Sequence, residues 1–498
     1  MQTNLMKKVI TYFWEILLFG LLFAYLFIFI HNTLIRHWSF STYYYDLGIM
    51  HQVLYNTAYG RFFQLTDPNA TEQISRLAIH FDPLMLIFTP FYWLFPHVET
   101  LLIGQTVLLA SGAIPIFLLC KHLFKNFNAV PAGFIATFFS FLYLNYYPMQ
   151  NTNISAFHAV VMVTPLFLWA AYFIETKRYK PALILLLLSM LGKENVALTV
   201  AMIGLYIALI KKERVIGFGL AAFSAVLFLF IISYLIPSNR SDLHFAESYY
   251  TLDLQTNLLR LFSEESFLYV YHLLQPVGFL SLFSPVYLLI AGPEWMLNIL
   301  SKSTNMRDLQ YHYTALLTPF IFISALFGLR TIITYAEKYT PKINLRYVLL
   351  FVIAVVLSFN LYTTSKHNLL HLSKIINQPR LTLVRSIEER FKDDSIKVSA
   401  TGHLGPYLAG RTYFYNFLFD FAYKSFGISD DDLKKVVSRY ESADYVVIQK
   451  GEVENQIPIV LYYYKHLTEN PKFEKVFDKQ GFEIYHKLGA PTVNLEGI

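Results

Sequence analysis

The sequence of 498 residues is poor in cysteine and in charge. Its single cysteine, Cys120, excludes an internal disulfide and any metal site built from several cysteines. Only 15% of the residues are charged, and the net charge of +6 is too small and too dispersed to indicate nucleic-acid binding. Instead, 55% of the residues are apolar, with 45 Phe and 36 Tyr. A chain this apolar needs lipid as part of its solvent, which excludes a cytosolic enzyme, a disordered scaffold and a disulfide-rich secreted domain.

Charge is distributed unevenly along the chain. Of the 136 residues from 363 to 498, 35 are charged, against 39 of the preceding 362. The first part therefore has the composition of a membrane domain, and the second has that of a water-soluble domain. We predict a transmembrane domain over residues 1–362 and a soluble domain over residues 363–498.

Apolar runs that could cross a bilayer recur through the first domain. Single runs lie at roughly 9–30, 98–120, 129–147, 159–175, 214–236, 314–333 and 345–362. Two further regions are typical of paired shorter helices, at 181–192 with 195–210 and at 267–283 with 286–300. The pattern predicts an α-helical polytopic protein with about eleven transmembrane helices. The first run is too long for a cleavable signal, and no small-residue cleavage site follows it.

Basic residues predict the orientation, because short loops rich in Lys and Arg stay in the cytoplasm. Such clusters flank one side of the spans, at Lys7 and Lys8, Lys121 and Lys125, Lys177 to Lys180, Lys211 to Arg214, and Lys338 to Arg346. The opposite side receives residues 31–97, 148–158, 192–195, 237–266, 301–313 and the charged C-terminal domain. We expect a multi-pass plasma-membrane protein with a cytoplasmic N-terminus and an extracytoplasmic C-terminal domain.

The first outside segment, residues 31–97, is long and mixed in polarity. Its apolar residues Leu47, Met50, Leu54 and Ala58 follow helical spacing, which favours a helix lying in the membrane interface. Residues 84–95 are too short to span and contain a proline, so they indicate a second interfacial or re-entrant piece.

The C-terminal segment alternates helical and strand-like patterns, which predicts a small α/β domain. The expected helices are Leu381–Phe391 and Asp430–Arg439, the second with Ser429 as N-cap. The expected strands are Ile396–Ala400, Tyr445–Gln449, Phe473–Phe477 and Phe482–His486, the last two joined by a turn at Gln480–Gly481.

Charges beside membrane helices are costly and are therefore candidates for function. Asp46 follows three tyrosines shortly after the first span, and such a carboxylate suits a general base that removes a hydroxyl proton. The alternative for Asp46 is an N-cap of the helix that begins near Leu47. Asp82 precedes Pro83, so it too fits an N-cap, while the nearby His80 suits a proton shuttle, a phosphate donor or a plain interfacial side chain.

A cation and an anion, Lys193 and Glu194, stand at the outer tip of a short helical hairpin. They form either a mutual structural pair or a phosphate site in which Lys193 binds the anion and Glu194 orients it.

Several weaker candidates lie on the same side of the membrane. His158 begins a span, Glu294, Trp295 and Asn298 lie in the span before the 301–313 loop, and Arg307 lies in that loop. Three of them have simpler alternatives: an interfacial ring for His158, a bond to a neighbouring helix for Asn298, and snorkelling for Arg307. His312 and Tyr313 approach the outer end of the next span. No set of His, Asp and Glu has convincing spacing for a metal, so no metal site is predicted.

The order of these motifs resembles the polytopic membrane family called domain of unknown function 2079. The pieces that carry the resemblance are Asp46-Leu47-Gly48-Ile49, Asn56 to Arg61, His80-Phe81-Asp82-Pro83, Gly192-Lys193-Glu194-Asn195, Pro293 to Asn298, His312-Tyr313, Ala400-Thr401-Gly402 and Ala443 to Val447. Two positions depart from the expected pattern, with Asn195 in place of an acid and Tyr407 in place of histidine.

That family is similar in layout to the GT-C class of membrane glycosyltransferases. The resemblance implies a GT-C-like membrane domain and inverting transfer from a polyprenyl-phosphate-linked sugar to an unknown acceptor (a glycan, protein or lipid) at the outer face. It also implies a catalytic carboxylate in the first outside loop, the position of Asp46, although the tandem acidic motif of the class is absent. The lipid-linked sugar would be the donor substrate, with no other cofactor expected. For the cation that offsets charge on the departing phosphate, Lys193 is the first candidate, with Arg307 and Arg61 as alternates.

Two rival functions use the same residues. In a lipid or polysaccharide transporter the charges would line a path, but we detect no internal repeat, and the polar residues gather toward one surface. A non-catalytic membrane scaffold that displays the C-terminal domain leaves Asp46, His80 and Lys193 without a role.

Overall fold

The computed structural model describes residues 12–127, 129–240, 249–340, 342–367, 376–417, 438–454 and 458–498, with the side chains of 458 and 459 not described. The structure is mostly helical and carries one small sheet near its C-terminus. In chain order the α-helices are α1 Phe13–Trp38, α2 Ile49–Ala58, α3 Thr89–Tyr92, α4 Glu99–Ser111, α5 Ala113–Leu123, α6 Ala132–Leu144, α7 Tyr147–Ser155, α8 Val163–Glu175, α9 Tyr179–Ser189, α10 Val196–Leu209, α11 Arg214–Phe230, α12 Leu254–Leu261, α13 Glu264–Leu274, α14 Val286–Ile290, α15 Gly292–Leu300, α16 Thr318–Tyr339, α17 Leu345–His367, α18 Gln378–Arg390, α19 Gly405–Leu408, α20 Lys450–Val453 and α21 Pro458–Thr468.

Short 3₁₀ turns join many of these helices, at Arg76–Ala78, Pro83–Phe88, Ala159–Met162, Pro237–Asn239, Gln275–Val277, Leu280–Phe283, Thr304–Arg307, His312–Thr314 and Gly402–Leu404. Wider π-type turns occupy Tyr44–Gly48 and Ile231–Leu235. The strands are β1 Gln64–Thr66, β2 Gln73–Ser75, β3 Val398–Ala400, β4 Phe414–Asn416, β5 Tyr445–Gln449, β6 Phe473–Lys479 and β7 Phe482–Lys487.

Within the described ranges, five helical segments are long and apolar enough to cross a membrane: Phe13–Trp38, Glu99–Leu123, Arg214–Asn239, Thr318–Tyr339 and Leu345–His367. Shorter apolar helices accompany them, at Ala132–Leu144, Ala159–Glu175, Tyr179–Ser189 and Val196–Leu209. These helices confirm a membrane protein with several apolar helices. The count of eleven spans and the orientation of the termini stay predictions.

The composition of α1 explains how a membrane helix packs on one side and faces lipid on the other. Phe19, Phe23 and Phe27 recur every four residues and are 66%, 72% and 70% exposed, so they form one stripe. Leu22 and Phe29 lie on the other side of the helix and are buried in the membrane core. Lipid provides the solvent for the exposed phenylalanines.

Helices α10 and α11 approach each other more closely than ordinary side chains would allow. A Cβ added to Gly204 would lie 2.7 Å from the backbone nitrogen of Ala221, and one added to Gly217 would lie 2.3 Å from that of Ala208. Glycine at both positions therefore lets the two backbones touch, the packing that small residues permit in membranes.

The first outside segment differs from the interfacial helix that we predicted. Leu47, Met50 and Leu54 are all buried, and they belong to a core that also contains residues of the C-terminal domain. The apolar side of α2 therefore faces protein rather than lipid. Residues 84–95 agree better with an interfacial piece, because Trp93 and Leu94 are 65% and 72% exposed.

The C-terminal domain contains a five-stranded sheet in the order β4-β3-β5-β7-β6. Strand β3 lies parallel to β4 and β5, whereas β7 lies antiparallel to β5 and β6. Gln480 and Gly481 both have positive φ, 52° and 79°, as a two-residue hairpin requires. These elements confirm a small α/β arrangement with the predicted hairpin, and β4 is an additional strand.

The sheet separates two hydrophobic clusters. Val447 on one face packs into the core shared with α2 and the start of α4, while Val446 and Ile448 on the other face pack under α21. The first outside segment and the C-terminal domain thus share one core. Most of the predicted helix 430–439, with its cap Ser429, lies outside the described residues. The domain boundary at 362/363 stays a prediction, and α17 runs past it to His367.

Candidate functional site

Asp46 lies in a strained turn. Its φ and ψ angles are 73° and −77°, close to the rare three-residue γ-turn at about +75° and −65°. A non-glycine residue in such a conformation costs about 1–3 kcal/mol and persists only where its surroundings enforce it. The N-cap of α2 is Gly48, and it has no side-chain capping bond. Capping of α2 therefore does not explain Asp46.

The C-terminal domain packs directly against this turn. A Cβ on Gly405 would lie 2.5 Å from Cβ of Tyr44 and 2.9 Å from its Cα. His403 Nδ1 donates to the carbonyl of Thr42 at 2.8 Å, and the Tyr407 hydroxyl donates to the carbonyl of His37 at 2.9 Å. Tyr407, one of the two departures from the family pattern, thus links α19 to the end of α1.

The carboxylate of Asp46 faces the ring of His158. Asp46 Oδ1 lies 3.2 Å from His158 Nε2, and the two side chains are 53% and 8% exposed. Partial loss of solvation raises the pKa of Asp46, but the neighbouring charge of His158 outweighs it and holds that pKa below its ordinary value. The Asp46 carboxylate is therefore ionised near neutral pH and still half open to a ligand.

A row of rings continues from His158. The His158 and His312 rings stack with centroids 3.5 Å apart, and the His312 and Tyr313 rings lie 4.3 Å apart. Burial, followed by the neighbouring His158 ring and the ammonium group of Lys193, lowers the pKa of His312 well below its ordinary value. Burial and then the charge of Asp46 raise the pKa of Tyr313. Tyr313 therefore lies within electrostatic reach of Asp46.

Lys193 reaches the same ring from the tip between α9 and α10. Its Nζ lies 5.8 Å from the centroid of Tyr313, within the range of a cation–π contact. Among the described residues, no carboxylate lies within ion-pair distance of this half-buried ammonium group. Asp46 and Lys193 thus approach Tyr313 from two segments that are far apart in the chain.

The neighbouring Glu194 is fully engaged by the first outside loop. It accepts from Phe81 N–H at 3.1 Å and lies 2.9 Å from His80 Nδ1. Burial raises the pKa of Glu194, but the charges of His80 and Lys193 outweigh burial and hold it well below its ordinary value. Glu194 pairs with His80 rather than with Lys193, so the hypothesis of a mutual Lys193–Glu194 pair is wrong.

Asp82 has a structural partner in the same loop. Both Asp82 oxygens accept from Arg76, with the shortest distance 2.6 Å, and the two side chains are only 5% and 4% exposed. Asp82 precedes the 3₁₀ turn at Pro83 but makes no side-chain capping bond. A bidentate buried pair of this kind is a structural feature, and it replaces the capping role that we considered.

A second layer of polar contacts lies behind Tyr313. Asn298 donates to the Tyr313 carbonyl and to the Tyr269 hydroxyl, both at 3.0 Å. Asn195, the other departure from the family pattern, donates to buried Glu294 at 2.6 Å. A carboxylate is thus present at this place, contributed by α15 rather than by residue 195.

The two alternate cations are engaged elsewhere. Arg307 donates to three carbonyls at the end of α15, including that of Ser301 at 2.8 Å, and pairs with Glu265 at 3.2 Å. Arg61 pairs with Asp394 of the C-terminal domain at 2.5 Å and donates to Asn56. Neither guanidinium contacts Asp46, His158 or Lys193 in the described part of the chain.

Three participants were missed or undervalued by sequence reasoning. His158 was a weak candidate, yet its ring faces Asp46. Arg76 is overlooked by sequence reasoning, although its partner Asp82 is considered, and Glu294 is treated only as a weaker candidate. A charged residue buried beside a membrane segment is the available signal for all three. No group of three or more His, Cys, Asp or Glu side chains able to hold a metal is found in the described ranges.

The family comparison covers most of the chain. The model of the DUF2079 family, described as a predicted membrane protein, matches residues 36–481. The chain belongs to this family. No curated protein matches the sequence.

Two solved structures that share this fold are of ArnT, one of the GT-C glycosyltransferases. ArnT from Cupriavidus metallidurans bound to undecaprenyl phosphate is 11% identical, with a TM-score of 0.57, and the match covers 97% of this chain and 100% of ArnT. ArnT of the same organism in the apo state is 12% identical, with a TM-score of 0.52 and coverage of 95% and 97%. At this identity the likeness shows a GT-C-like fold for the DUF2079 chain.

Proposed function

We propose that this protein is a membrane glycosyltransferase that moves a sugar from a polyprenyl-phosphate-linked donor to an acceptor hydroxyl. Its fold extends over the full length of a structure that holds undecaprenyl phosphate. The observation that carries the proposal is the Asp46 turn, in which a strained backbone presents a half-open carboxylate near the cation Lys193. Strain maintained at such a point is typical of functional sites.

The proposed chemistry is a single displacement. Asp46 takes the proton from the acceptor hydroxyl, and that oxygen forms a bond to the anomeric carbon of the sugar. The bond between the anomeric carbon and the phosphate oxygen breaks on the opposite face, so the configuration inverts. The polyprenyl phosphate leaves with the electron pair, and Lys193 offsets the charge that it gains.

The surrounding residues would support these two groups. His158 orients the Asp46 carboxylate, and His80 with Glu194 anchors the tip that carries Lys193. His312 and Tyr313 form a wall between the two groups, backed by Asn298. We assign Asp82 and Arg307 to holding the fold of the site, and Arg61 to fixing the C-terminal domain.

We also propose that the site lies on the extracytoplasmic side. The support is the charge pattern, because the basic clusters flank the helix ends away from Asp46. Labelling of a single cysteine introduced at exposed Lys479 in intact cells tests this topology after replacement of Cys120. Reaction with a membrane-impermeant reagent is expected, and protection until the cells are lysed would overturn the orientation.

Donor consumption is the direct test of the function. Purified protein is incubated with a panel of polyprenyl-phosphate sugars, and release of polyprenyl phosphate is followed. Asp46→Asn is expected to lower the rate by about 10²–10⁴-fold, because it removes a general base. The matched control is Asp253→Asn, which alters an exposed cap of α12 and should leave the rate unchanged.

Lys193→Met separates donor binding from chemistry. We expect weaker donor binding, while Lys180→Met at the opposite end of α9 serves as the control. Unchanged donor affinity in Lys193→Met would remove Lys193 as the phosphate ligand. Movement of intact donor across a bilayer without its consumption would instead support the transporter.

A further inference from the structure

A polar cavity lies at the end of the membrane domain away from Asp46. It encloses about 320 Å³ between the C-terminal end of α5 and the last turns of α16. Both helices start near the candidate site, α4–α5 at Glu99 and α16 just after Tyr313. The cavity is therefore separated from that site by the length of a transmembrane helix.

Positive charge dominates this cavity. Its lining includes Lys125, Arg330 and His122, with Glu337 as the acidic member. In the described part of the chain, none of these four side chains has an ion-pair partner within 4.0 Å. Elsewhere near this end the protein does pair its charges, as in Lys211 with Glu175 at 2.6 Å.

The Arg330 side chain is exposed and has no counter-ion among the described residues. Arg330 lies twelve residues into α16, which places it about 18 Å along a helix that rises about 1.5 Å per residue. An exposed arginine in the C-terminal half of a membrane-crossing helix extends its charge toward the lipid headgroups, where an anionic partner is favourable. Arg330, Thr334 and Glu337 follow helical spacing and form one face toward the cavity.

The lining is amphiphilic, which distinguishes a lipid from a free ion. Leu123 and Phe127 contribute apolar walls beside the basic groups, and both side chains are only partly buried. Inorganic phosphate would gain nothing from those walls. A headgroup with the start of its acyl chains contacts both parts, and basic pockets between membrane helices are known to take such headgroups.

We propose that this cavity binds the phosphate headgroup of an anionic phospholipid from the leaflet opposite the candidate site. Arg330 and Lys125 contact the phosphate, and Leu123 and Phe127 contact the first carbons of the lipid. This site is independent of the proposed transfer reaction, because none of its residues belongs to the candidate site around Asp46 and Lys193.

Lipid binding to delipidated full-length protein in detergent tests the proposal. Phosphatidylglycerol, phosphatidylcholine and inorganic phosphate are titrated separately, and bound lipid is counted by native mass spectrometry. Saturable binding of phosphatidylglycerol alone is expected. Equal binding of phosphatidylcholine, or competition by inorganic phosphate at equal concentration, would overturn the choice of an anionic lipid.

A double variant and its matched control test whether the lipid binds in this cavity. The double variant Arg330→Gln with Lys125→Gln should weaken phosphatidylglycerol binding by at least tenfold, at about fivefold per charge removed. The matched control, Lys338→Gln with Lys342→Gln, removes two charges near the same end but outside the cavity and should change affinity much less. Equal losses in the two double variants would overturn the proposal.

Glu337→Gln provides a test that does not depend on the folding of the double variant. It removes the acidic group of the cavity, so phosphatidylglycerol should bind about fivefold more tightly. Unchanged or weaker binding would contradict the proposal. Because the readout is lipid retention, failure here leaves the glycosyltransferase proposal untouched, and the reverse also holds.

Discussion

Two acidic segments of the first outside loop differ in how completely their carboxylates are satisfied. At Arg76–Asp82 both carboxylate oxygens are bound by one guanidinium, and the pair is almost fully buried. At Tyr44–Gly48 the carboxylate of Asp46 has one close partner, His158, and half of its side chain is open. The Asp46 backbone is also strained.

This difference indicates which carboxylate serves the fold and which is available for chemistry. A buried bidentate pair has no remaining capacity for a substrate, and breaking it leaves an uncompensated charge. A half-open carboxylate has free acceptor capacity. The strain at its backbone reduces the stability of the fold, and such strain is typical of functional sites. We therefore expect substitutions in the two segments to have opposite effects on stability and activity.

Arg76→Met gives the largest expected change in stability. The substitution leaves Asp82 buried without its cation, so the free energy of unfolding should fall by about 3–5 kcal/mol. Chemical denaturation in detergent measures this change. The comparison is Arg36→Met, because the Arg36 guanidinium has no ion-pair partner in the described residues. An equal loss of stability in both variants would show that the loss in Arg76→Met does not come from breaking the ion pair with Asp82.

Gly405→Ala tests whether the C-terminal domain holds the Asp46 turn. The new Cβ would meet the backbone and side chain of Tyr44, and overpacking of this kind costs about 1–3 kcal/mol. Transfer activity should fall while donor affinity is retained, because the donor cation Lys193 lies on another segment. Gly451→Ala is the control, since a Cβ there meets nothing within 4 Å.

Asp46→Gly should change the stability in the opposite direction to Arg76→Met. Glycine adopts positive φ without the steric penalty, so the free energy of unfolding should rise by roughly 1 kcal/mol while transfer is lost. Thermal unfolding together with the transfer assay measures both effects. A clear loss of stability would mean that the carboxylate is held for the fold, as in the Arg76–Asp82 segment.

The smallest expected effect is a shift in pH dependence. Because His158 holds the pKa of Asp46 below its ordinary value of 3.8, Asp46 stays ionised as the pH falls to that value. Its contribution to stability is likewise present above the unfolded pKa and is lost only as the pH falls through the lower folded pKa. In His158→Gln the loss of solvation is no longer opposed, so the acid limb of kcat/KM should move to higher pH. If the acid limb of kcat/KM does not move, His158 does not control the pKa of Asp46.

Local signals predicted much of the fold. The apolar runs of the membrane helices and the Gln480–Gly481 hairpin depend on neighbouring residues, and both are found in the structure. The placement of α2 depends on a partner more distant in the chain. Its apolar stripe fits lipid as well as protein, and only packing against the C-terminal domain decides between them.

The candidate site was predicted only in part, because local signals indicate its charged residues but not their distant partners. Asp46, His80, Lys193 and Glu194 are unusual for their membrane surroundings, and the structure brings their segments together. The partner of each charge could not be predicted, because His158 and Arg76 become partners only when separate segments meet. Arg61 illustrates the limit, since its carboxylate partner belongs to the C-terminal domain.

The glycine contact between α10 and α11 restricts where a long isoprenoid chain could enter the molecule. Gly204 and Gly217 bring the two backbones together without intervening side chains, so the contact itself leaves no room for such a chain. A donor with its tail in the bilayer would have to pass at another place to bring its headgroup to Lys193. Crosslinkers carried on the isoprenoid would then label the residues that line its path and leave the contact between Gly204 and Gly217 unlabelled.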